Sequence, residues 1–428
     1  MKNKFIKSTI ILIIGGLITK LLGFVIKIVY TRMIGEDGIS LFMLVTPAYS
    51  LFITIAQLGL PIAISKLVAE NKNSKKIIFS IIPLMLILNF ILIVIIFSCS
   101  SFIANDLLKE PNSKLLLMAM ALVLPFISLS SIIRGYFFGK QKMFPHTLSN
   151  IIEQIVKLGL IFLIIPILMK KGIVIAVSGL IVLNIISEIV SIIVFLFFLP
   201  KNFCIKKKDI KPDINSCKEV LKISIPSVSA RFIGNIGFFF EPIILTNILI
   251  SIGYSSKYIV REYGIYNAYS IPLLLLPSFF IAALSSALVP EISKFYQQHN
   301  LKMVKRRFNQ ALGISFIIGL VFNIILYIYA DDLLKIIYNT TSGTQYIKFL
   351  APFFLLFYLE SPMISMLQAL NKATVSMKIT LYGVILKLLA ITILSFLHIG
   401  IYGLVASEII NIIFVVILNY KEIRKVIN

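Results

Sequence analysis

The chain has no tryptophan, three cysteines and three histidines among 428 residues, and only 18 acidic side chains. Cys99, Cys204 and Cys217 are too few and too scattered for a disulfide framework or a metal cluster, and His146, His299 and His398 stand equally far apart. No GxxxxGK[ST] run occurs, which excludes a P-loop within this sequence, and no HExxH occurs, which excludes that zinc site. Charge of either sign is scarce. Charged residues make up 14% of the chain, against about 25% in an ordinary soluble domain.

In their place stand long apolar runs, such as IIFSIIPLMLILNFILIVIIF (77–97) and LIVLNIISEIVSIIVFLFFL (180–199). Stretches of about 20 apolar residues read as membrane-spanning helices. Twelve are predicted, at 9–31, 40–60, 77–99, 115–138, 147–169, 173–199, 221–250, 264–289, 308–330, 346–370, 378–397 and 400–420. The fold class is therefore an all-α polytopic membrane protein. The basic start MKNKFIKS reads as the lead-in to a retained first helix, because the apolar run is too long for a signal peptide and no small-residue cleavage site follows.

The net charge of +23 raises the question of nucleic acid. The positions of the charges answer it. With alternate loops assigned to alternate sides, 27 of the 41 lysines and arginines fall on one side and 9 on the other. That asymmetry orients a membrane protein and needs no nucleic-acid partner. It puts both termini in the cytoplasm of a bacterial cytoplasmic membrane.

Traces of an internal repeat run through the sequence. Gly38-Ile39 returns as Gly264-Ile265, the PIAISK of 61–66 as PEISK at 290–294, and Pro125-Phe126 as Pro352-Phe353, all offset by 226 to 229 residues. Lys20-Leu-Leu-Gly23 resembles Arg231-Phe-Ile-Gly234. Parallel repeats follow, with an N-terminal six-helix bundle at 1–200, a basic cytoplasmic linker at 201–218 and a C-terminal bundle at 219–428.

Apart from Arg134, Lys222, Lys348 and Lys378, which are counted with the flanking loops, ten charged residues lie inside the predicted spans: Lys20, Lys27, Lys157, Arg231 and Lys387, with Glu153, Glu188, Glu241, Glu360 and Glu408. A charge at the bilayer centre costs about 2.5–3.5 kcal/mol on insertion scales, so such groups turn toward a bundle interior or a water-filled cavity. Lys20 and Lys27, seven residues apart, share one helix face. With Arg231 they make a predicted cationic cavity, and a phosphate group is the usual anion for such a cluster. Glu153 and Lys157, at i,i+4, read as a self-neutralised pair, and Lys387 with Glu408 as a second structural pair. Glu241 precedes Pro242, where a helix is expected to kink. It is the leading residue for a coupling ion, H+ or Na+, or alternatively a counter-charge for Arg231. No other cofactor and no metal is expected.

At this point a resemblance enters. TKLLGFVIKIVYTRMIGEDGI (19–39), QLGLPIAISKLVAE (57–70), RGYFFGKQKMFPHTLSNIIEQIVKLGL (134–160) and IPLLLLPSFFIAALSSALVPEIS (271–293) resemble the stage V sporulation protein B family. That family belongs to the polysaccharide-exporter group of the multidrug/oligosaccharidyl-lipid/polysaccharide (MOP) flippase superfamily. The resemblance implies two six-helix bundles around a central cavity, alternating access, and a lipid-linked sugar on an undecaprenyl pyrophosphate carrier. It also implies a headgroup-binding role for Lys20. Two features depart from lipid II flippases: the spans 40–60 and 264–289 hold no Lys or Arg, and the helices stop at twelve.

The expected function is a flippase for an anionic lipid-linked oligosaccharide or cell-wall precursor, not an enzyme. A cation-coupled multidrug exporter of the same fold is the alternative, disfavoured by a cationic first helix. A membrane enzyme acting on the lipid carrier lacks a catalytic constellation here, and a non-transporting scaffold would tolerate neutralised buried charges.

Overall fold

With no water to satisfy backbone N–H and C=O groups in a bilayer core, a spanning segment closes its hydrogen bonds within a helix. A computed structural model describes residues 2–70, 74–200 and 213–427, with side chains from Ile14 onward except at position 230. Most of the basic linker, 201–212 with Lys201, Lys206, Lys207, Lys208 and Lys211, lies outside the described residues, as do Lys72 and the side chains of Lys2, Lys4 and Lys7. The described residues form helices and short connections, with no strand among them.

Eleven of the described helices are long and apolar enough to cross a membrane. The helix α1, Lys2–Gln57, has 56 residues and is interrupted at Gly35, where φ is 70° and ψ −176°. Unbroken it would measure about 84 Å, more than twice a hydrocarbon core of about 30 Å. Counting its two arms separately gives twelve passes. The short α2 (Leu60–Ala69) follows. Next come α3 (Ser74–Phe102), α4 (Ser113–Gly139), α5 (Met143–Met169) and α6 (Ile173–Phe197). After the linker, α7 runs from Ile214 to Ser251. Then α8 (Ser256–Ile265), a π-helical segment Tyr266–Ser270, α9 (Ile271–Leu274) and α10 (Leu276–Gln297) share one pass. The remaining helices are α11 (Leu301–Ile328), the short α12 (Ala330–Tyr338), α13 (Thr344–Ala369), α14 (Ala373–Ser395) and α15 (Tyr402–Ile427). Large apolar side chains stand exposed on them, including Phe90 at 66% and Leu163 at 70%. Only lipid makes such a surface favourable.

The chain divides into two compact units, Met1–Phe239 and Phe240–Asn428, so the division falls inside α7. The repeat is visible in the helix starts. α3, α4, α5 and α6 begin at 74, 113, 143 and 173, and α11, α13, α14 and α15 at 301, 344, 373 and 402, always 227 to 231 residues later. The turns repeat too: Gln141 after α4 and Asn371 after α13 both sit in the left-handed region, at φ 54° and 59°. Lys157 and Lys387 fall on the same position of their helices, an equivalence that the sequence motifs above do not reveal.

In the first unit α2 packs on α4 around Leu60, Ile64, Leu67, Phe137 and Phe195. Small residues let the backbones approach: Gly135 and Gly139 form a G-x-x-x-G pair, and a Cβ on Gly139 would lie 2.7 Å from the Ser65 carbonyl oxygen and from Val68 Cβ. The start of α7 is tied to α3. Asp213 pairs with Lys76 at 3.0 Å, and its backbone N–H donates to Ser80 at 3.0 Å. The second unit has its own core of Leu288, Ile292, Phe308, Met366, Leu367 and Ile423.

Candidate functional site

Gly16, Lys20, Gly23 and Lys27 recur on the first arm of α1 at i, i+4, i+7 and i+11, one stripe of a 3.6-residue helix. A Cβ on Gly16 or on Gly23 would meet nothing within 4 Å. Lys20 is exposed and Lys27 half-buried. Lys20 therefore sits beside open space at Gly16 and Gly23, while Lys27 lies deeper and Phe24, next to Gly23, stands between the two lysines. On α7, Arg231 and Gly234 repeat the Lys20–Gly23 spacing. Arg231 is exposed, and Gly234 again has open space where a Cβ would stand. One turn beyond Arg231, the Asn235 amide donates to the Ser50 carbonyl oxygen at 3.1 Å and to Thr54 Oγ1 at 2.5 Å. That bond fixes the rotation of α7 against the second arm of α1 within the first unit.

Glu153 and Lys157 are close enough to act on each other electrostatically, but each makes its direct polar contact with another helix. Lys157 Nζ donates to Asn184 Oδ1 on α6 at 2.7 Å. Glu153 Oε2 is 4.0 Å from Arg134 Nη2 on α4. Local spacing does not decide the direct contacts here, because two neighbouring helices offer better-placed polar groups. Ser149 and Ser191, 2.7 Å apart, close the same interhelical layer. Glu188 Oε2 is buried there with no hydrogen-bond partner among the described residues.

In the second unit, the Lys387 ammonium on α14 lies 2.6 Å from Glu241 Oε2 on α7 and 2.5 Å from Glu408 Oε2 on α15. Tyr263 of α8 donates to Glu241 Oε1 at 3.3 Å. Glu241 is 3% exposed. The Lys387–Glu408 pair is one edge of a triad, and the counter-charge of Glu241 is Lys387, not the Arg231 that the sequence offers. Nor is α7 interrupted at Glu241: it is helical from Ile214 to Ser251 through Pro226 and Pro242.

A family model described as polysaccharide biosynthesis protein matches residues 5–296, and one described as MatE matches residues 242–393. The chain is 34% identical over 438 residues to Stage V sporulation protein B of Bacillus subtilis (strain 168), covering 100% of this chain and 85% of that protein. It is 24% identical over 429 residues to Lipid II flippase MurJ of the same organism, covering 91% and 77%. Among solved structures, an inward-facing multidrug resistance MATE family transporter of the MOP superfamily has a similar fold. Its TM-score is 0.76 at 16% identity, over 96% of this chain and 94% of that one. At that identity the likeness carries the fold alone.

Proposed function

The chain belongs to the polysaccharide biosynthesis protein family, within the MOP superfamily of membrane transporters, and from that premise we propose that it flips an anionic lipid-linked oligosaccharide or cell-wall precursor of the undecaprenyl-pyrophosphate type. The cargo passes from the inner to the outer leaflet by alternating access. The chain sits in the bacterial cytoplasmic membrane with both termini in the cytoplasm, as the lysine and arginine asymmetry favours.

The stripe Gly16–Lys20–Gly23–Lys27, with open space at its glycines, is the observation that carries this reading. A lysine facing lipid at this depth would cost several kcal/mol. Facing a wet cavity, the same lysine offers a diphosphate a point charge, and the two glycines leave room for the headgroup to come close. Arg231 with Gly234 adds a third cation of the same design. The energy source is an ion gradient or the membrane potential, since no nucleotide-binding loop is encoded. The coupling ion is H+ or Na+, and Glu241, which shares the single Lys387 ammonium with Glu408, stays the first residue to test for it.

Lys20 tests the reading in proteoliposomes carrying an undecaprenyl-pyrophosphate-linked sugar. Lys20→Arg is expected to keep most of the flipping, Lys20→Gln to lose most of it and Lys20→Glu to lose all, each at normal folded abundance. Full flipping by Lys20→Gln refutes the cationic cavity. Loss of flipping that tracks loss of folded protein assigns Lys20 to stability instead.

A further inference from the structure

Between α10 and α13 in the second unit lies an open cleft of about 390 Å³ whose polar lining serves no purpose described so far. Its volume is in the range of small-ligand sites, roughly 300–1,000 Å³. Ser278, Ser285 and Ser286 line it from α10; Glu360, Ser361 and Ser365 line it from α13. The Ser361 hydroxyl donates to Ser285 at 2.9 Å. Ser278 Oγ is buried with no hydrogen-bond partner. Glu360 makes no ion pair and no hydrogen bond among the described residues.

Hydroxyls in lipid-exposed helices ordinarily return their bond to their own backbone or to a packed neighbour. The first unit shows that outcome. On α4, the helix that corresponds to α13, Ser128 donates to the Ala56 carbonyl oxygen at 2.9 Å and accepts from Asn89 at 3.0 Å, and Ser131 donates to the Ser128 carbonyl oxygen at 2.7 Å. Only about 10 Å³ of space remains beside them. In the second unit Ser361 likewise bonds to its neighbour Ser285, and Ser286 donates to the Ala282 carbonyl oxygen at 2.8 Å, but a carboxylate, Glu360, stands at the cleft with no such bond among the described residues.

The lining determines the ligand chemistry. No lysine or arginine contributes, and Glu360 repels a phosphate, so the cleft is not a second anion site. Ile281, Ala282, Phe357, Tyr358 and Ile364 give much of the lining an apolar character, but an isoprenoid tail lying there would leave the Glu360 carboxyl without a hydrogen-bond partner. A carboxylate accepts two neighbouring hydroxyls, serines donate and accept, and the Phe357 ring gives an apolar wall. These are the complements of a sugar ring. We propose that this cleft binds a sugar of the cargo through its hydroxyls, with Glu360 as the principal acceptor and Ser278, Ser361 and Ser365 as partners. The proposal rests on the flippase reading above and adds to it a determinant of which headgroup is preferred.

The experiment is binding to the full chain in nanodiscs, using two probes: undecaprenyl pyrophosphate bearing one N-acetylhexosamine, and bare undecaprenyl pyrophosphate. The unsubstituted chain is expected to prefer the sugar-bearing lipid. Glu360→Gln, which keeps the volume, is expected to reduce that preference about tenfold while leaving affinity for the bare lipid unchanged. Ser361→Ala and Ser365→Ala, small changes that spare folding, are expected to reduce it in the same direction. An undiminished preference in Glu360→Gln and in both serine variants overturns the proposal while the flippase reading stands. The same holds if Glu360→Gln alters only a dependence on Na+, which makes the cleft a cation site. Binding of neither lipid by the unsubstituted chain sinks both readings.

Discussion

The Lys387 ammonium lies 2.6 Å from the Glu241 carboxylate, across 146 residues of sequence. With Glu408 at 2.5 Å, one cation joins α7, α14 and α15. Two carboxylates around a single ammonium leave each charge dependent on the others. Lys387→Met strands one buried and one half-buried anion and is expected to cost about 3–5 kcal/mol. The triple variant Glu241→Gln, Lys387→Met, Glu408→Gln is expected to regain most of that, and Glu241→Gln alone to be mild because Lys387 keeps Glu408. Thermal melts in detergent check the order. If Lys387→Met melts with the unsubstituted chain, the triad does not hold the helices together. If Glu241→Gln abolishes the response of transport to an imposed gradient at normal folded level, Glu241 is a coupling site as well.

Two glycines of the first unit are expected to respond oppositely to alanine. Gly139→Ala drives a Cβ to 2.7 Å from the Ser65 carbonyl oxygen, where only a backbone shift can relieve it. The expected loss is about 1–3 kcal/mol. Gly23→Ala meets no atom within 4 Å and is expected to leave stability unchanged or slightly raised. A leucine at Gly23 is then expected to fold normally and to flip poorly, by filling the space beside Lys20. Equal losses of stability for Gly23→Ala and Gly139→Ala would mean that the stripe is packed, not open.

The clip at the start of α7 has a pH signature. The Asp213 carboxyl is held down to about 2, chiefly by the Ser216 hydroxyl at 2.6 Å and then by Lys76. A carboxyl lowered in the folded state contributes stability that is fully present above its unfolded pKa of about 3.9 and is lost as pH falls toward the folded value. The difference in melting temperature between the unsubstituted chain and Asp213→Asn is expected to be constant above about pH 5 and to shrink between about pH 4 and 2. A difference that instead grows toward low pH contradicts the assignment.

Orientation is tested by single cysteines in a version lacking Cys99, Cys204 and Cys217. An impermeant thiol reagent applied to intact cells is expected to label a cysteine at Lys109 and not one at Lys140. The reverse pattern inverts the topology.

The spans were legible because run length and apolarity are local properties of the sequence, and so was the change of direction near Gly35, where Glu36 and Asp37 interrupt the apolar run. The Lys387–Glu408 contact is legible from two consecutive helices facing each other. Tertiary competition is not. Asn184 and Arg134 take the direct contacts beside the i,i+4 attraction of Glu153 and Lys157, and no local rule registers a helix 27 residues away. The partner of Glu241 is missed for the same reason, since its ammonium comes from far along the chain. The serine cleft escapes notice because serine is ordinary in transmembrane helix interfaces. Its signal is the helical spacing of Ser278 with Ser285, and of Ser361 with Ser365, beside a glutamate that has no charged neighbour in sequence.

Gly35 imposes a requirement of handedness, not of size. Its φ of 70° with ψ of −176° lies where L-residues are all but excluded, yet a Cβ there would touch nothing within 4 Å. Reflection turns those angles into −70° and 176°, an ordinary extended conformation. The junction between the two arms of α1 would therefore accept D-alanine comfortably and resist L-alanine, its mirror image, although both carry the same single methyl group into the same empty space.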